Sequence, residues 1–178
     1  ACSYVAVIRD VTDEHWHTQR LIDEAATDPL TRLYNRRGLE QRVLALANRP
    51  GGAPQVQTWI MLDIDFFSIV NDNYGHDGGD AVLRALARAL QTTARKEDVP
   101  ARLGGEEFAL LLPDTTTAAA VPVAERLRAN VAAMVVNIGA REARITVSMG
   151  IAEQRPTEPW PTALKRADLA LYRAKHEG

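Results

Sequence analysis

Two short acidic segments of the 178-residue chain have residue types and spacing suited to metal chemistry. In the first, Asp63 and Asp65 end a hydrophobic run and are separated by Ile64. Side chains alternate along a strand, so the two carboxylates would share one face, where burial is costly unless a cation or hydrogen-bond donors compensate the charge. A pair of surface acids that caps the following turn explains this spacing equally well.

The second acidic segment reads Gly104-Gly105-Glu106-Glu107-Phe108. Paired glycines adopt turn conformations closed to other residues and let a ligand approach the main chain. If a strand resumes at once, the two glutamates face opposite sides, and one of them joins the face of Asp63. Such a carboxylate cluster suits Mg²⁺, which takes oxygen ligands and often bridges substrate phosphates. The alternative is a glycine hairpin with solvated acids.

Alternating helix and strand patterns surround these segments. We predict helices over residues 35–48, 80–94, 117–134 and 161–176, strands over 57–65 and 143–152, and a hairpin over 100–112. Pro122 should delay or kink the third helix. The apolar run within 57–65 suits a strand that is buried on both faces. This order of elements predicts a mixed α/β fold with at least one antiparallel hairpin.

Composition narrows the class of protein. Lysine and arginine total 21 and aspartate and glutamate 23, which gives a net charge of −2. This balance argues against binding to the phosphate backbone of DNA or RNA, which draws on a basic excess. The single cysteine, Cys2, excludes an internal disulfide and a cysteine-based zinc site. No apolar run approaches the roughly 18 residues of a membrane span. We therefore expect a cytoplasmic domain, with no nucleic-acid partner and no membrane contact by this segment.

The first 27 residues differ in pattern from the rest. The apolar run from Val5 to Ile8 predicts one strand with no neighbouring strand to pair with, which suggests that a preceding domain is missing. Residues 13–27 are polar with sparse apolar positions and predict a solvated connecting helix, which Asp28-Pro29 ends. The expected organisation is a remnant strand over 1–12, a connecting helix over 13–27 and one domain over 28–178.

The glycine–glutamate segment resembles the signature of GGDEF domains, the bacterial diguanylate cyclases, in its GGEEF form. Further segments resemble the family's pattern: Asp28-Pro29-Leu30-Thr31, Asp63-Ile64-Asp65-Phe66-Phe67, and residues 71–80, 147–152 and 167–175. The resemblance runs from Asp28 to Gly178, so this part is expected to be the catalytic domain. The preceding segment, which ends Arg9-Asp10-Val11-Thr12, resembles the last strand and exit motif of a PAS sensor domain. That likeness implies an upstream sensor in the full-length protein.

The resemblance implies a palm-like mixed sheet flanked by helices, similar to nucleotide cyclases and polymerase palm domains. It implies catalysis by Asp63, Glu106 and Glu107, which with the Ile64 carbonyl would hold two Mg²⁺ ions, or Mn²⁺ in their place, per active half-site. The substrate-binding positions carried over from the family are Asn71 and Asp80 for guanine, the backbone of Phe66 and Phe67 together with Lys175 for the phosphates, and Gly104 and Gly105 at the turn. Ser68 departs from the family, which usually has Lys there, and this removes one cation near the phosphates.

The implied reaction condenses two GTP molecules into cyclic di-GMP and releases two pyrophosphates. Each subunit would hold one GTP, so the active state would be a homodimer. Arg95, Asp98 and Arg126 match the family's inhibitory site for cyclic di-GMP, its own product. The alternative is a catalytically silent relative that binds GTP or cyclic di-GMP and signals by contact. The full-length protein could be anchored in a membrane even though this domain is expected to be cytoplasmic.

Overall fold

A computed structural model describes residues 26–53 and 56–177. The elements in chain order are α1 (Arg36–Ala47), β1 (Gln57–Ile64), α2 (Phe67–Thr93), β2 (Val99–Gly104), β3 (Glu107–Pro113), α3 (Thr117–Ala133), β4 (Val136–Ile138), β5 (Arg141–Ala143), β6 (Val147–Glu153) and α4 (Trp160–Glu177). The predicted remnant strand and nearly all of the predicted connecting helix lie outside the described residues.

The main sheet has four strands in the order β2-β3-β1-β6. The predicted fold class, a sheet flanked by helices, is confirmed, but each pairing between these strands is antiparallel where a mixed sheet was expected. The hairpin of β2 and β3 places β3 between β2 and β1. β3 runs antiparallel to both of these strands, so β2 and β1 run in the same direction without pairing with each other. A parallel bridge joins Tyr34 to Ala101 outside the named strands.

Helices cover both faces of the sheet, and β1 is buried on both, as its apolar run predicts. One face packs against α2 and α3 and carries Ile60, Leu62, Ile64, Phe108 and Leu110. The other face packs against α1 and α4 and carries Trp59, Met61, Ala109 and Leu111. Trp59 stacks on Trp160 of α4 with ring centroids 5.5 Å apart. Alternate residues of β1 thus serve two separate cores.

Three predictions for individual elements are wrong. The helix predicted from residue 80 begins at Phe67 and contains one non-helical residue, Gly75, with φ 73° and ψ 174°. The delayed start that Pro122 was expected to cause in α3 does not occur, because the helix begins at Thr117 with Thr116 as its cap and Pro122 lies inside it. The strand predicted from residue 143 begins at Val147, because Ala143 is instead the last residue of the short hairpin of β4 and β5.

The backbone of α4 lies directly against β6 at Gly150. A Cβ atom at Gly150 would come within 2.1 Å of the Ala167 carbonyl oxygen and within 2.1 Å of the Leu171 amide nitrogen. These atoms belong to the helical turns that precede Lys175. The absence of a side chain at Gly150 therefore sets the height of α4 over the sheet.

We expect Gly150→Ala to lower the free energy of unfolding by about 1–3 kcal/mol, because the added methyl group overlaps main-chain atoms that cannot rotate away. Urea unfolding followed by circular dichroism measures the change. An unchanged unfolding midpoint and slope would contradict the close seating of α4 on β6.

Candidate active site

Asp63 is the acidic residue at the end of β1 on which the site is built. The strand register places it opposite Glu107 of β3 and Ser148 of β6, so these three side chains share the sheet face covered by α4. Asp63 is only 9% exposed. Lys175 of α4 reaches it, with Nζ 2.5 Å from Oδ1.

Negative charge exceeds positive charge around Asp63. Its buried Oδ1 atom has the ion-pair contact with Lys175, but no donor among the described residues is aligned to form a hydrogen bond with it. Partial burial raises the pKa of Glu106, and the negative charges of Asp63 and Glu107 raise it further. The positive charge of Lys175 lowers this pKa but does not cancel the increase. Asp63 and Glu106 therefore both interact electrostatically with Lys175, and Glu107 adds negative charge beside Glu106.

The described residues do not form a complete protein cage for a metal. Among them, no three acidic, histidine or cysteine side chains are arranged to hold an ion by themselves. The predicted ligands are brought to one end of the sheet as a charge cluster. An ion held here would therefore also need backbone or substrate oxygens, which is usual for Mg²⁺ at phosphate-binding sites.

Asp65 does not join this cluster, although its spacing from Asp63 made it a candidate. Its carboxylate accepts hydrogen bonds from Thr146 Oγ1 at 2.6 Å and Ser148 Oγ at 2.7 Å. Its amide donates to the Thr146 carbonyl at 3.0 Å. Asp65 therefore fixes the ends of β1 and β6 to each other.

The N-terminus of α2 follows Asp65 and presents backbone amides. Phe66 caps this helix in the left-handed region, with φ 56° and ψ 35°, and no side chain forms a cap hydrogen bond. Its ring is 76% exposed, whereas Phe67 is buried. A helix N-terminus carries partial positive charge and unpaired amide donors, both of which favour a phosphate. The predicted phosphate contacts through the backbone of Phe66 and Phe67 fall at this point.

Asn71 and Asp80, the predicted guanine-binding residues, lie on opposite sides of the Gly75 kink in α2. The Asn71 carboxamide packs against Gly79, where a Cβ atom would come within 2.1 Å of Asn71 Oδ1. Asp80 follows Gly79 and has Arg84 Nη2 at 3.5 Å. The segment predicted as a nucleotide loop is thus two helical arms, and the kink brings Asn71 next to the residue that precedes Asp80.

The turn that carries Glu106 is held by Arg102, which sequence reasoning missed. The Arg102 guanidinium donates to the Gly105 carbonyl through Nε at 3.0 Å and Nη2 at 2.8 Å, and to Asp28 Oδ1 through Nη1 at 3.0 Å. Asp28 Oδ1 also accepts from the amide and hydroxyl of Thr31, at 2.8 and 2.6 Å. The sequence signal was an arginine two residues before the paired glycines, which by itself indicates only a solvated charge.

The predicted inhibitory residues also lie together. Arg95, Asp98 and Arg126 line one small cleft between the end of α2 and α3. The Arg95 amide donates to Asp98 Oδ2 at 2.7 Å, and Arg126 Nη2 lies 3.5 Å from the Thr93 carbonyl. Burial raises the pKa of Asp98, and the hydrogen bond from Arg95 opposes this effect.

Comparisons with known proteins decide the family. The family model described as "Diguanylate cyclase, GGDEF domain" matches residues 25–178. The chain belongs to the GGDEF family. It is 40% identical over 162 residues to the response regulator PleD of Caulobacter vibrioides, covering 88% of this chain and 35% of PleD. It is 38% identical over 181 residues to the diguanylate cyclase DgcM of Escherichia coli, covering 98% of this chain and 42% of DgcM.

A solved structure places this GGDEF domain in the same fold. The coiled coil and GGDEF domain of DgcB from Caulobacter crescentus, solved in complex with c-di-GMP, superposes with a TM-score of 0.85 at 32% identity. The match covers 94% of this chain and 90% of that chain. The curated relatives are longer, since the chain spans 35% of PleD and 42% of DgcM. No helix within 26–53 or 56–177 has the length and apolar character needed to cross a membrane.

We expect Asp28→Asn to weaken the hydrogen bonds through which Asp28 and Arg102 fix the turn at Gly105. The free energy of unfolding should fall by about 1 kcal/mol at pH 7, because charge-assisted hydrogen bonds are lost. Burial raises the pKa of Asp28, but the bonds from Thr31 and Arg102 outweigh it, so the pKa lies below its ordinary value. This contribution is complete above the unfolded-state pKa of about 3.9 and is lost as the pH falls through the lower folded value.

Urea unfolding of both proteins between pH 7 and pH 2 measures this difference. Asp114→Asn is the matched control, because Asp114 contacts Arg49 at 2.6 Å on a more exposed surface, where such pairs contribute little. A difference between wild type and Asp28→Asn that stays unchanged from pH 7 down to pH 2 would contradict the assigned charge effect.

Proposed function

We propose that this domain condenses two GTP molecules into cyclic di-GMP with release of two pyrophosphates. The observation that carries the proposal is the meeting of Asp63, Glu106 and Glu107 with Lys175 beside the open N-terminus of α2. Such an arrangement supplies charges for a metal and for a triphosphate side by side. Relatives that are named diguanylate cyclases support the same reaction.

The proposed cofactor is Mg²⁺, or Mn²⁺ in its place, at two ions per active half-site. The Asp63 carboxylate, the Ile64 carbonyl, Glu106 and Glu107 would hold it. The donor set fits, because among the described residues the buried Asp63 Oδ1 has an ion-pair contact with Lys175 but no aligned hydrogen bond, and Glu106 and Glu107 add negative charge beside it. When bound, the ions lower the pKa of the attacking 3′-hydroxyl and neutralise charge on the phosphates.

The phosphates would lie against the amides that follow Phe66, where no side chain competes for the helix N-terminus. Lys175 contacts Asp63, which lies three residues before Phe66, and would exchange this contact for one with a phosphate oxygen. Ser68 supplies a hydroxyl where the family usually has a cation. We therefore expect Lys175 to carry a larger share of phosphate neutralisation here than in relatives with Lys at that position.

Guanine would be recognised by Asn71 and Asp80. An aspartate carboxylate accepts hydrogen bonds from the N1–H and the 2-amino group of guanine, and adenine lacks both donors. With ATP the carboxylate would face an acceptor and stay unpaired, which makes a site reject the wrong base strongly. Each chain carries one such set of residues, so ring closure requires a second subunit. We infer a two-fold homodimer in which each 3′-hydroxyl attacks the α-phosphate held by the facing subunit.

Product feedback is the regulatory part of the proposal. The cleft of Arg95, Asp98 and Arg126 combines two guanidinium groups with one carboxylate. A guanidinium binds a phosphate or the Hoogsteen edge of guanine with two bonds, and a carboxylate accepts from its N1–H and 2-amino group. Cyclic di-GMP presents both kinds of group. We further propose a cytoplasmic location for this domain and control by an upstream sensor in the full-length protein.

We expect Glu107→Gln to abolish turnover while keeping the fold, because the amide is nearly isosteric but removes a charged metal ligand. Incubation with GTP and Mg²⁺, followed by mass measurement of the product, tests both this variant and wild type. Glu125→Gln is the control, since Glu125 lies in an exposed pair with Arg128 on α3. Cyclic di-GMP at the wild-type rate from folded Glu107→Gln would refute the site, and none from wild type would favour the silent binding module.

We expect Arg95→Ala to weaken cyclic di-GMP binding by roughly ten- to a hundredfold, because it removes charge-assisted bonds worth about 1.5–3 kcal/mol. Initial rates at low product should change less than about twofold, since Arg95 lies outside the carboxylate cluster. Calorimetric titration and product-inhibition curves measure the two effects. Lys96→Ala, an exposed neighbour, serves as the charge-matched control. An inhibition curve that stays in place in Arg95→Ala would refute the inhibitory site.

A further inference from the structure

The hairpin of β4 and β5 packs across the kink of α2 and contacts both of its arms. We name the arm before Gly75, residues 67–74, the first arm, and the arm after it, residues 76–93, the second arm. The two arms carry the proposed guanine-binding residues, Asn71 on the first and Asp80 on the second. The hairpin has no part in the carboxylate cluster or in the inhibitory cleft.

Tyr74 joins the first arm to the hairpin. Its hydroxyl donates to the Glu142 carbonyl at 3.0 Å. The Arg141 guanidinium lies over the Tyr74 ring, 4.4 Å from the centroid, and Arg141 Nη1 donates to the Asn73 carbonyl at 2.9 Å. That carbonyl is available because Gly75 interrupts the helical bonding of the turn before it. Arg141 thus contacts the first arm through a cation–π contact and a hydrogen bond.

The second arm is held against the same hairpin at Gly78. A Cβ atom there would come within 2.4 Å of Tyr74 Cβ and 3.4 Å of Ile138 Cγ2. Tyr74 and β4 therefore approach the second arm only because this residue lacks a side chain. Two residues of the hairpin, Ile138 and Arg141, act together with Tyr74 of the first arm. Their contacts fix the angle between the two arms.

That angle decides where Asn71 lies. In a straight α-helix, residues 71 and 79 would be separated by about 12 Å along the axis. Here the Asn71 carboxamide touches Gly79, the neighbour of Asp80. We propose that Tyr74 and Arg141 are positioning residues that hold the two arms at the angle needed for Asn71 and Asp80 to bind one guanine. The inference rests on the proposed function, because that function assigns the guanine contacts.

A purely structural role predicts a different pattern of loss. If the contacts only stabilised the fold, removing them would reduce the active fraction and hence kcat, with the affinity and base preference of the remaining protein unchanged. If the contacts set the angle, removing them weakens the guanine contacts and leaves the carboxylate cluster intact. KM for GTP then rises, kcat is kept, and the preference for GTP over ITP narrows, since ITP lacks the 2-amino group.

The experiment compares Arg141→Ala and Tyr74→Phe with wild type. We expect KM for GTP to rise about tenfold in Arg141→Ala and less in Tyr74→Phe, which keeps the ring, with kcat within about twofold. Arg141→Lys keeps the cation and should recover part of the loss. Glu142→Ala is the matched control, because it removes only the side chain and leaves the carbonyl that Tyr74 binds. Arg128→Ala controls for the lost charge on another element.

Binding without turnover separates this inference from the proposed function. Calorimetric titration of GTP and ITP in a Glu107→Gln background measures affinity when no product forms. If wild type makes no cyclic di-GMP, the proposed function fails, and a lost GTP preference in Arg141→Ala still supports the positioning role. If Arg141→Ala and Tyr74→Phe bind GTP and ITP as the background protein does, the positioning role is refuted. A fall in kcat alone, with KM and base preference unchanged, also refutes it.

Discussion

The burial of Asp63 at the end of β1 is the constraint on which the rest of the site depends. A buried carboxylate beside further acids is unfavourable unless opposite charge compensates it, and Lys175 is its ion-pair partner within the described residues. Lys175 reaches Asp63 only because the α4 backbone lies against Gly150. The packing of α4 on β6 therefore determines the charge balance of the site. The remaining excess of negative charge explains why this end of the sheet suits a cation and a triphosphate.

The acidic turn depends on a second constraint, which acts from the side where the chain enters the described domain. Asp28 and Arg102 are 74 positions apart, yet one guanidinium binds both the Asp28 carboxylate and the Gly105 carbonyl. A planar fork of five donors suits this task, whereas a lysine ammonium would not span both acceptors in fixed geometry. The entry of the chain and the turn that carries Glu106 thus form a single hydrogen-bonded unit.

Much of the fold and of the site was predictable where the determinants are local. β1 was predicted within one residue because a run of apolar residues buried on both faces has few other interpretations, and the paired glycines marked the hairpin. The contact of Arg102 with Asp28 was not predictable, because the two residues are 74 positions apart in the sequence. The different contacts of Asp63 and Asp65 were not predictable either. Asp65 accepts hydrogen bonds from the hydroxyls of Thr146 and Ser148, whereas Asp63 contacts Lys175.

The first half of α2 shows why local pattern fails at the nucleotide end of the site. Polar residues and three glycines between 71 and 80 favour a loop, and the segment is helical on both sides of one residue. The glycines have different tasks. Gly75 supplies a positive φ, while Gly78 and Gly79 leave room for Tyr74 and Asn71. A side chain at any of the three would prevent the bend or the contact that follows it. The bend, in turn, is held by a hairpin with no clear sequence signal, so tertiary packing and not helix propensity determines where Asn71 meets Asp80.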